Sequence, residues 1–154
     1  MYWDASQDGP KPFAWQRARL GRQAESELLG CSLFEIAHRA SSFPLHVHHA
    51  NEELIVVLAG HPTLRTLDGE RELERGEVVA CRRGPAGAHR LDNRGDSPVR
   101  VMIVSTMIAP EVNEYPDSGK LWVRGVPPGA EGDPQALDQV ARPDDSLHYL
   151  DGEV

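Results

Sequence analysis

Four side chains of types that commonly bind metal ions stand in two short stretches of this sequence. His46 and His48 are separated by one residue, Glu53 follows at the start of an apolar run, and His89 lies in a later run. In an extended strand, residues two apart face the same side, so the imidazoles of His46 and His48 project together. A carboxylate beside two imidazoles is a site for a borderline divalent metal ion.

The elements that must position these side chains are short apolar runs separated by turn residues. This pattern, over residues 31–107, is typical of an all-β sandwich or barrel. Asp68 and Gly69 form the clearest hairpin turn. Residues 54–58 are apolar on both faces, which predicts a strand that is covered on both sides. The predicted strands are residues 31–38, 53–59, 62–67, 77–82, 88–92 and 99–107.

Segments of different character flank these strands. We expect residues 1–30 to form an N-terminal arm, residues 31–108 the barrel, and residues 109–154 a C-terminal arm that packs on the barrel or on a partner subunit. The C-terminal arm is predicted to contain a short helix, with Asp133 as N-cap, Pro134 at the first helical position and Pro143 as the stop.

The first stretch resembles one of the two motifs of the cupin superfamily. That motif has two histidines separated by one residue, then a glutamate and finally a glycine. Here His46 and His48 are followed by four residues, Glu53, six residues and Gly60. The spacing to Gly60 selects Glu53 over its neighbour Glu52 as the motif glutamate.

The second stretch resembles the other cupin motif. It begins at Gly76 and contains His89, three residues and Asn93. One feature departs from the family pattern, because Arg82-Arg83-Gly84 replaces the usual Pro-x-Gly and four residues instead of two precede the histidine. The turn before His89 is therefore longer, and the shape of the barrel mouth is expected to differ.

The resemblance implies an all-β fold, the double-stranded β-helix or cupin jelly-roll barrel. We expect the two arms and the short C-terminal helix, inferred above from the residue pattern, to lie around it. It also implies that one metal ion is held by His46, His48, Glu53 and His89. More loosely, residues 113–117 resemble the YPD-type segment of a subgroup of uncharacterised single-domain bacterial cupins. We expect Asn93 of the second motif to make structural hydrogen bonds.

Three imidazoles and one carboxylate leave two positions of an octahedral ion open for water, O₂ or substrate. This ligand set does not choose among Mn, Fe, Ni, Zn and Co. The resemblance implies a superfamily that includes dioxygenases, decarboxylases, sugar isomerases, epimerases and non-enzymatic binding proteins. We predict a metalloenzyme that acts on a small polar or anionic metabolite, with a non-catalytic metal-dependent binding or sensor module as the alternative. An enzyme needs a titratable group near the metal besides the ligands.

Other charged residues near the motifs are candidates for substrate binding. Arg82 and Arg83, in the altered turn, and Arg39 could hold an anionic group with their guanidinium forks, or could simply be solvated surface arginines. Glu35 could act as an acid or base near the metal, or could be an exposed strand residue. His49 is expected to face away from the ligands.

The overall charge excludes some partners. The sequence has 24 acidic and 16 basic residues and a formal net charge of -8, which repels nucleic acid. No apolar stretch is long enough to span a membrane, and no secretory signal is evident at the N-terminus, so we expect a cytoplasmic protein. Cys31 and Cys81 are predicted to be unpaired thiols. The long arms favour a homodimer, because they need a surface on which to order.

Overall fold

Alternating apolar and polar residues place about half of the described residues in β-strands. The computed structural model describes residues 1–8, 12–128, 136–143 and 151. No helix in these ranges is long and apolar enough to cross a membrane. The strands are β1 (Ala5–Asp8), β2 (Ala14–Ala18), β3 (Leu29–Ile36), β4 (Ala40–Ser41), β5 (Val47–His48), β6 (Glu53–Ala59), β7 (Thr63–Arg65), β8 (Glu70–Glu72), β9 (Val78–Cys81), β10 (Arg90–Asn93), β11 (Val99–Thr106), β12 (Glu111–Tyr115), β13 (Lys120–Arg124) and β14 (Asp138–Ala141).

The strands form three antiparallel sheets. The first has the order β1-β2-β3-β11-β6-β9, the second β4-β10-β7-β8 and the third β14-β13-β12-β5. A single turn of α-helix, α1 (Leu20–Gln23), joins β2 to β3, and a 3₁₀-helix at Pro85–Gly87 precedes β10. Apolar side chains from the first and second sheets pack into one core cluster, as expected for a jelly-roll barrel.

Strand β6 shows how alternation builds this core. Glu53, Ile55 and Val57 are buried, whereas Leu54 and Leu58 are each 40% exposed. The prediction that this strand is covered on both faces is therefore wrong for the single chain. An apolar side chain on the outer face of an antiparallel sheet costs little, so hydrophobicity alone does not show that a face is buried.

The all-β class and the predicted strands are confirmed. Each predicted run overlaps a strand, namely β3, β6, β7, β9, β10 and β11 in chain order, with β3 beginning two residues earlier and β10 ending one residue later than predicted. The hairpin at Asp68 and Gly69 joins β7 to β8, with Thr63 opposite Glu72. The Thr66 amide donates a hydrogen bond of 2.8 Å to the Gly69 carbonyl and closes the turn.

The predicted C-terminal helix is wrong where it can be compared, because residues 138–141 form β14. This strand pairs with β13, and Trp122 lies opposite Val140. The Trp122 indole N–H also donates to the Asp138 carboxylate at 2.6 Å. An open strand edge offers a ladder of backbone partners, which overrides the weak helix signals. The proposed cap residues Asp133 and Pro134 lie outside the described residues.

The N-terminal strands β1 and β2 extend the first sheet. Asp4 ties this segment down, since its carboxylate accepts hydrogen bonds from the Arg19 backbone at 2.7 Å and from the Arg19 Nε at 3.1 Å. Trp15 of β2 packs edge-on against Phe34 and Phe43, with ring centroids 5.5 and 6.1 Å away. Residues from before the predicted barrel therefore contribute to its wall.

Candidate metal-binding site

The four side chains singled out from the sequence meet inside the barrel. The Nε2 atoms of His46 and His48 are 3.2 Å apart. The Glu53 Oε2 atom lies 3.6 Å from His48 Nε2 and 3.1 Å from His89 Nε2. The rings of His46 and His89 are 4.4 Å apart between centroids, and all four residues are buried.

Strand pairing brings the two motifs together. His46 and His89 form an isolated antiparallel bridge, in which each backbone amide donates to the other residue's carbonyl, at 3.2 and 3.0 Å. Glu53 is the first residue of β6 and lies opposite Cys81 of β9. Val47 is buried on the opposite side from its histidine neighbours, in a small cluster with Leu45. The alternation inferred from the sequence is therefore present.

Backbone carbonyls orient two of the imidazole rings. His46 Nδ1 lies 3.0 Å from the Pro44 carbonyl, and His89 Nδ1 lies 2.9 Å from the Gly87 carbonyl. Because a carbonyl can only accept, each Nδ1 must carry the proton in these contacts. The lone pair of a neutral ring is then on Nε2, which faces the centre of the cluster.

A buried carboxylate, Glu111, orients the third ring. Its Oε2 lies 3.3 Å from His48 Nδ1, and its Oε1 accepts the backbone amides of His49 and Ala50, both at 3.1 Å. The Asn51 side-chain amide also donates to it. Burial opposes ionisation of Glu111, but contacts with His48 and Asn51 outweigh it and lower the pKa to about 2. Glu111 thus positions both His48 and the loop that follows it.

Strand β12 supplies further residues that the sequence reasoning missed. Asn113 lies opposite His48 in the register, and its amide nitrogen is 2.8 Å from His48 Nδ1. Tyr115 stacks beside His46, with ring centroids 6.4 Å apart. Glu111, Asn113 and Tyr115 alternate along the strand, so period-two spacing would have placed them on one face.

The cluster has an asymmetric charge distribution without a metal. Burial, and then the charges of His89 and His48, lower the pKa of His46 to about 3. Burial opposes ionisation of Glu53, but His89 and the other histidines lower its pKa to about 2. Burial also opposes protonation of His89, but Cys81 and Glu53 raise its pKa to about 10. At neutral pH the His89 ring is therefore protonated beside the Glu53 carboxylate, although its Nε2 makes no hydrogen bond among the described residues.

The geometry fits a single divalent ion. Ligand atoms that each lie about 2.1 Å from a shared ion, at right angles, are about 3 Å from one another. Three separations between ligand atoms are 3.1 to 3.6 Å here, namely His46–His48, His48–Glu53 and Glu53–His89. His46, His48 and Glu53 each present one such atom within 4.8 Å of the others, whereas His89 is outside that group and approaches it through Glu53. Three imidazoles and a carboxylate also suit the borderline divalent ions.

A cavity of about 490 Å³ opens beside this cluster. His46, His48 and Glu53 lie in its wall, so a small molecule inside it would reach the ligand atoms. The lining residues are Arg17, Arg19, Gly30, Ser32, Phe34, Phe43, Pro44, His46, His48, Glu53, Ile103, Ser105, Met107, Asn113, Tyr115, Trp122, Arg124 and Pro128.

The arginines proposed for substrate binding from the sequence do not line this cavity. Arg39 is 73% exposed at its side chain and pairs with Asp96 at 2.7 Å. Arg82 and Arg83 are exposed. The long turn after them folds into the 3₁₀-helix, and the Gly84 amide is anchored to the His48 carbonyl at 2.8 Å. These three arginines are close to the motifs in sequence, but they are not in the wall of this cavity.

The remaining candidates have structural or surface positions. The Glu35 carboxylate accepts a hydrogen bond from Arg100 at 2.7 Å and is not in the cavity wall. His49 is exposed and pairs with Glu114 at 3.2 Å, away from the ligands as expected. Asn93 donates to three backbone carbonyls, so its expected structural role is confirmed.

A jelly-roll barrel with three histidines and one glutamate gathered inside it is the arrangement that the two sequence motifs predict. Residues 32–105, slightly less than half of the chain, match the family model described as the Cupin domain. This segment therefore resembles the domains of that family.

Known proteins show the same likeness. The tetracenomycin polyketide synthase protein TcmJ of Streptomyces glaucescens is 30% identical over 90 residues, which are 58% of this chain and 56% of that protein. A cupin superfamily structure named sugar phosphate isomerase, from Silicibacter pomeroyi, is 22% identical, with a TM-score of 0.76 over 95% of this chain and 90% of that one. The polyketide cyclase RemF from Streptomyces resistomycificus is 22% identical, with a TM-score of 0.54 over 66% of this chain and 72% of that one. The two structures show a shared fold.

Proposed function

We propose that this chain binds one divalent metal ion, Mn, Fe, Ni, Zn or Co, through His46, His48, Glu53 and His89, and that it is an enzyme acting on a small polar or anionic metabolite. The meeting of these four side chains, of which His46, His48 and Glu53 lie in the wall of a cavity, carries the proposal. A bound ion would supply Lewis-acid polarisation of a substrate oxygen. The other steps belong to the side chains of the chain itself.

Tyr115 supports an enzyme over a binding module. It is a titratable group in the cavity wall that is not one of the four ligands. Burial raises the pKa of Tyr115, although Arg124 opposes this, so the phenol stays protonated at neutral pH. A positioned phenol can donate a proton to a substrate oxygen as charge develops on it.

The cavity wall also suits proton-transfer chemistry. Phe34, Phe43, Ile103 and Met107 form its apolar part and would restrict water around a bound molecule. We favour an isomerase or epimerase, because the Tyr115 phenol can protonate the substrate oxygen as the neighbouring carbon gives up its proton to a water molecule in the cavity, and water then returns a proton to carbon. The chain has the same fold as a protein named sugar phosphate isomerase, which agrees with this choice. Dioxygenase and decarboxylase reactions are the competing classes.

The direct test begins with the bound metal. Protein purified without a metal-affinity column would be analysed for its elements, and the metal found would be used in a screen of hydroxy-carbonyl compounds with and without phosphate. We expect about one divalent ion per chain and exchange of a substrate C–H hydrogen with deuterium from D₂O. Ligand binding without exchange or any other turnover would favour the non-catalytic binding or sensor module.

Tyr115→Phe should lower kcat by about 10²-fold or more, with little change in metal content, because it removes only the phenolic proton donor. Steady-state kinetics of the metal-loaded protein would measure this effect. Tyr2→Phe is a matched control, since Tyr2 is 66% exposed and should keep full activity. Full turnover by Tyr115→Phe would exclude Tyr115 as the proton donor.

The metal affinity should rise about tenfold for each pH unit between pH 6 and 9, because binding must displace one proton from His89. The pKa of His89 is raised to about 10, so below that value the ring competes for the metal as an acid. His46 and Glu53, with pKa values lowered to about 3 and 2, add no slope in this range. Competition with a chelator of known pH dependence would measure the slope.

His89→Gln provides the comparison for this slope. The variant should bind metal more weakly and lose the pH dependence, whereas His49→Gln, at an exposed position, should behave like the unmodified protein. A flat profile in the unmodified protein would mean that His89 keeps its proton and is not a ligand.

The homodimer and the cytoplasmic location stay predictions. The outer face of β6 and β9 does carry exposed apolar side chains, Leu54, Leu58 and Val78. A contact between the outer faces of two copies would cover them, and would then account for the apolar character of both faces of β6.

A further inference from the structure

Arg124 carries a buried charge for which the described part of the chain supplies no anion in contact. It is the last residue of β13, is only 8% exposed and lies in the cavity wall. Its guanidinium stacks on Trp122 at 4.3 Å, but its buried Nε has no hydrogen-bond partner among the described residues. A buried guanidinium is costly unless an anion pairs with it.

Arg17 has a related position in another part of the fold, although it is partly exposed and has the Asp4 carboxylate within ion-pair distance. It comes from β2, and its guanidinium lies over Trp15 and Phe34, 5.8 and 6.0 Å from the ring centroids. Its Nε is also buried without a hydrogen bond among the described residues, and the Asp4 carboxylate is 3.8 Å away, beyond hydrogen-bond distance. Burial, and then Arg19, lower the pKa of Arg17, while Asp4 opposes this.

Both guanidinium groups border the cavity that contains His46, His48 and Glu53. The chain has a net charge of -8, so the presence of two arginines in one cavity does not reflect a generally basic surface. The Nε atom of each has no hydrogen-bond partner among the described residues. Aromatic faces hold both groups, and stacking leaves the edge of a guanidinium fork free to bind two oxygens of an oxyanion.

We propose that Arg17 and Arg124 form an oxyanion subsite, which binds the phosphate or carboxylate group of a ligand whose other end reaches the histidine and glutamate cluster. The second half of this statement rests on the proposed function, whereas the anion-binding half does not need the metal. Phosphate and carboxylate share the chemistry that two guanidinium forks recognise. The ligand class is therefore a small molecule with an oxyanion at one end and metal-binding oxygens at the other.

The test uses two anions as probes, inorganic phosphate and succinate, in calorimetric titrations of the purified protein before and after treatment with a chelator. We expect at least one of them to bind, and to keep binding after metal removal. Arg124→Gln and Arg17→Gln should each weaken that binding about tenfold or more, because each removes charge-assisted hydrogen bonds. Arg124→Lys should lie between, since it keeps the charge but loses the fork.

Arg100→Gln is the matched control, because Arg100 is a strand arginine that is exposed and pairs with Glu35. Circular dichroism and thermal unfolding would show whether each variant folds. If Arg124→Gln does not fold, the effect of Arg17→Gln on anion binding tests the subsite. Binding of phosphate alone, succinate alone or both identifies the oxyanion. No binding of either anion to the unmodified protein, or unchanged binding in a folded glutamine variant, would overturn the subsite.

The same titrations separate this proposal from the proposed function. If the protein binds no divalent metal but an anion still binds in an arginine-dependent way, the subsite stands and the metalloenzyme proposal fails. If metal binds and neither anion does, the subsite fails and the metal site stands.

Discussion

His46→Ala should lower the affinity for the divalent metal by at least about 100-fold. Replacing a residue that only hydrogen-bonds to a metal ligand commonly lowers metal affinity by about 10- to 100-fold, and His46 is itself a proposed ligand. The change removes one of four ligand atoms, and the three that remain are too few for tight binding of the ion at neutral pH. The backbone bridge between residues 46 and 89 uses main-chain atoms, so it does not depend on the imidazole. Chelator competition and elemental analysis would measure the loss.

Two exposed histidines provide controls for this experiment. His49→Ala changes a neighbouring imidazole that pairs with Glu114 at the surface, and His61→Ala changes one that pairs with Glu74. His49→Ala should keep the metal content and affinity of the unmodified protein. His61 lies in an exposed group with Glu72 and Glu74 that could also hold an ion, so His61→Ala reports any metal bound there. If His46→Ala also keeps the metal content and affinity, the ion is bound elsewhere and the proposed site is wrong.

Glu111→Ala should lower the free energy of unfolding by about 3–5 kcal/mol, because several buried hydrogen-bond donors then have no acceptor. The carboxylate is 0% exposed, accepts from two backbone amides and from Asn51, and lies 3.3 Å from His48 Nδ1. Chemical denaturation at neutral pH, with the metal-free protein, would measure the loss. Glu114→Gln, on the same strand but exposed, should change stability by less than about 0.5 kcal/mol.

Glu111→Gln allows the electrostatic part of this effect to be followed with pH. The folded-state pKa of Glu111 is lowered to about 2 from an ordinary value of 4.5. Its stabilisation is therefore complete above pH 4.5 and is lost as the pH falls towards 2. The stability difference between the unmodified protein and Glu111→Gln should shrink over that window. A difference that stays constant from pH 7 to pH 2.5 would mean that the charge of Glu111 is not involved.

Glu111→Gln should also weaken metal binding by about 10- to 100-fold, because the carboxylate that orients His48 is lost. This readout separates positioning of the ring from stability alone. A variant that is less stable but binds metal with unchanged affinity would limit Glu111 to a structural role.

The strands and the four clustered side chains could be predicted from the sequence because their signals are local. Apolar alternation within each run decides the strand, and glycines decide where it ends. His46 and His48 share a face by spacing alone, and two motifs of known pattern linked them to Glu53 and His89. Nothing beyond a few neighbouring residues was needed to recognise either motif.

The predicted C-terminal helix failed because of a contact made with another strand. The helix signals are real local preferences, but β13 offered an open edge and Val140 paired opposite Trp122. Arg82 and Arg83 lie near His89 in sequence and are exposed, and their contact with a substrate stays a prediction. Local preference is worth a fraction of a kcal/mol per residue, so pairing with another strand easily overrides it.

By itself, the sequence determined the all-β class and four side chains that could share a metal ion, because strand alternation and glycine turns act over a few residues. Only the tertiary structure decided what surrounds them. Glu111 and Tyr115 reach the cluster because β12 pairs with β5, and Arg17 and Arg124 reach the cavity through β2 and β13. These strands are distant in sequence, and their pairing is set by burial and register across the whole chain, which no short window of residues contains.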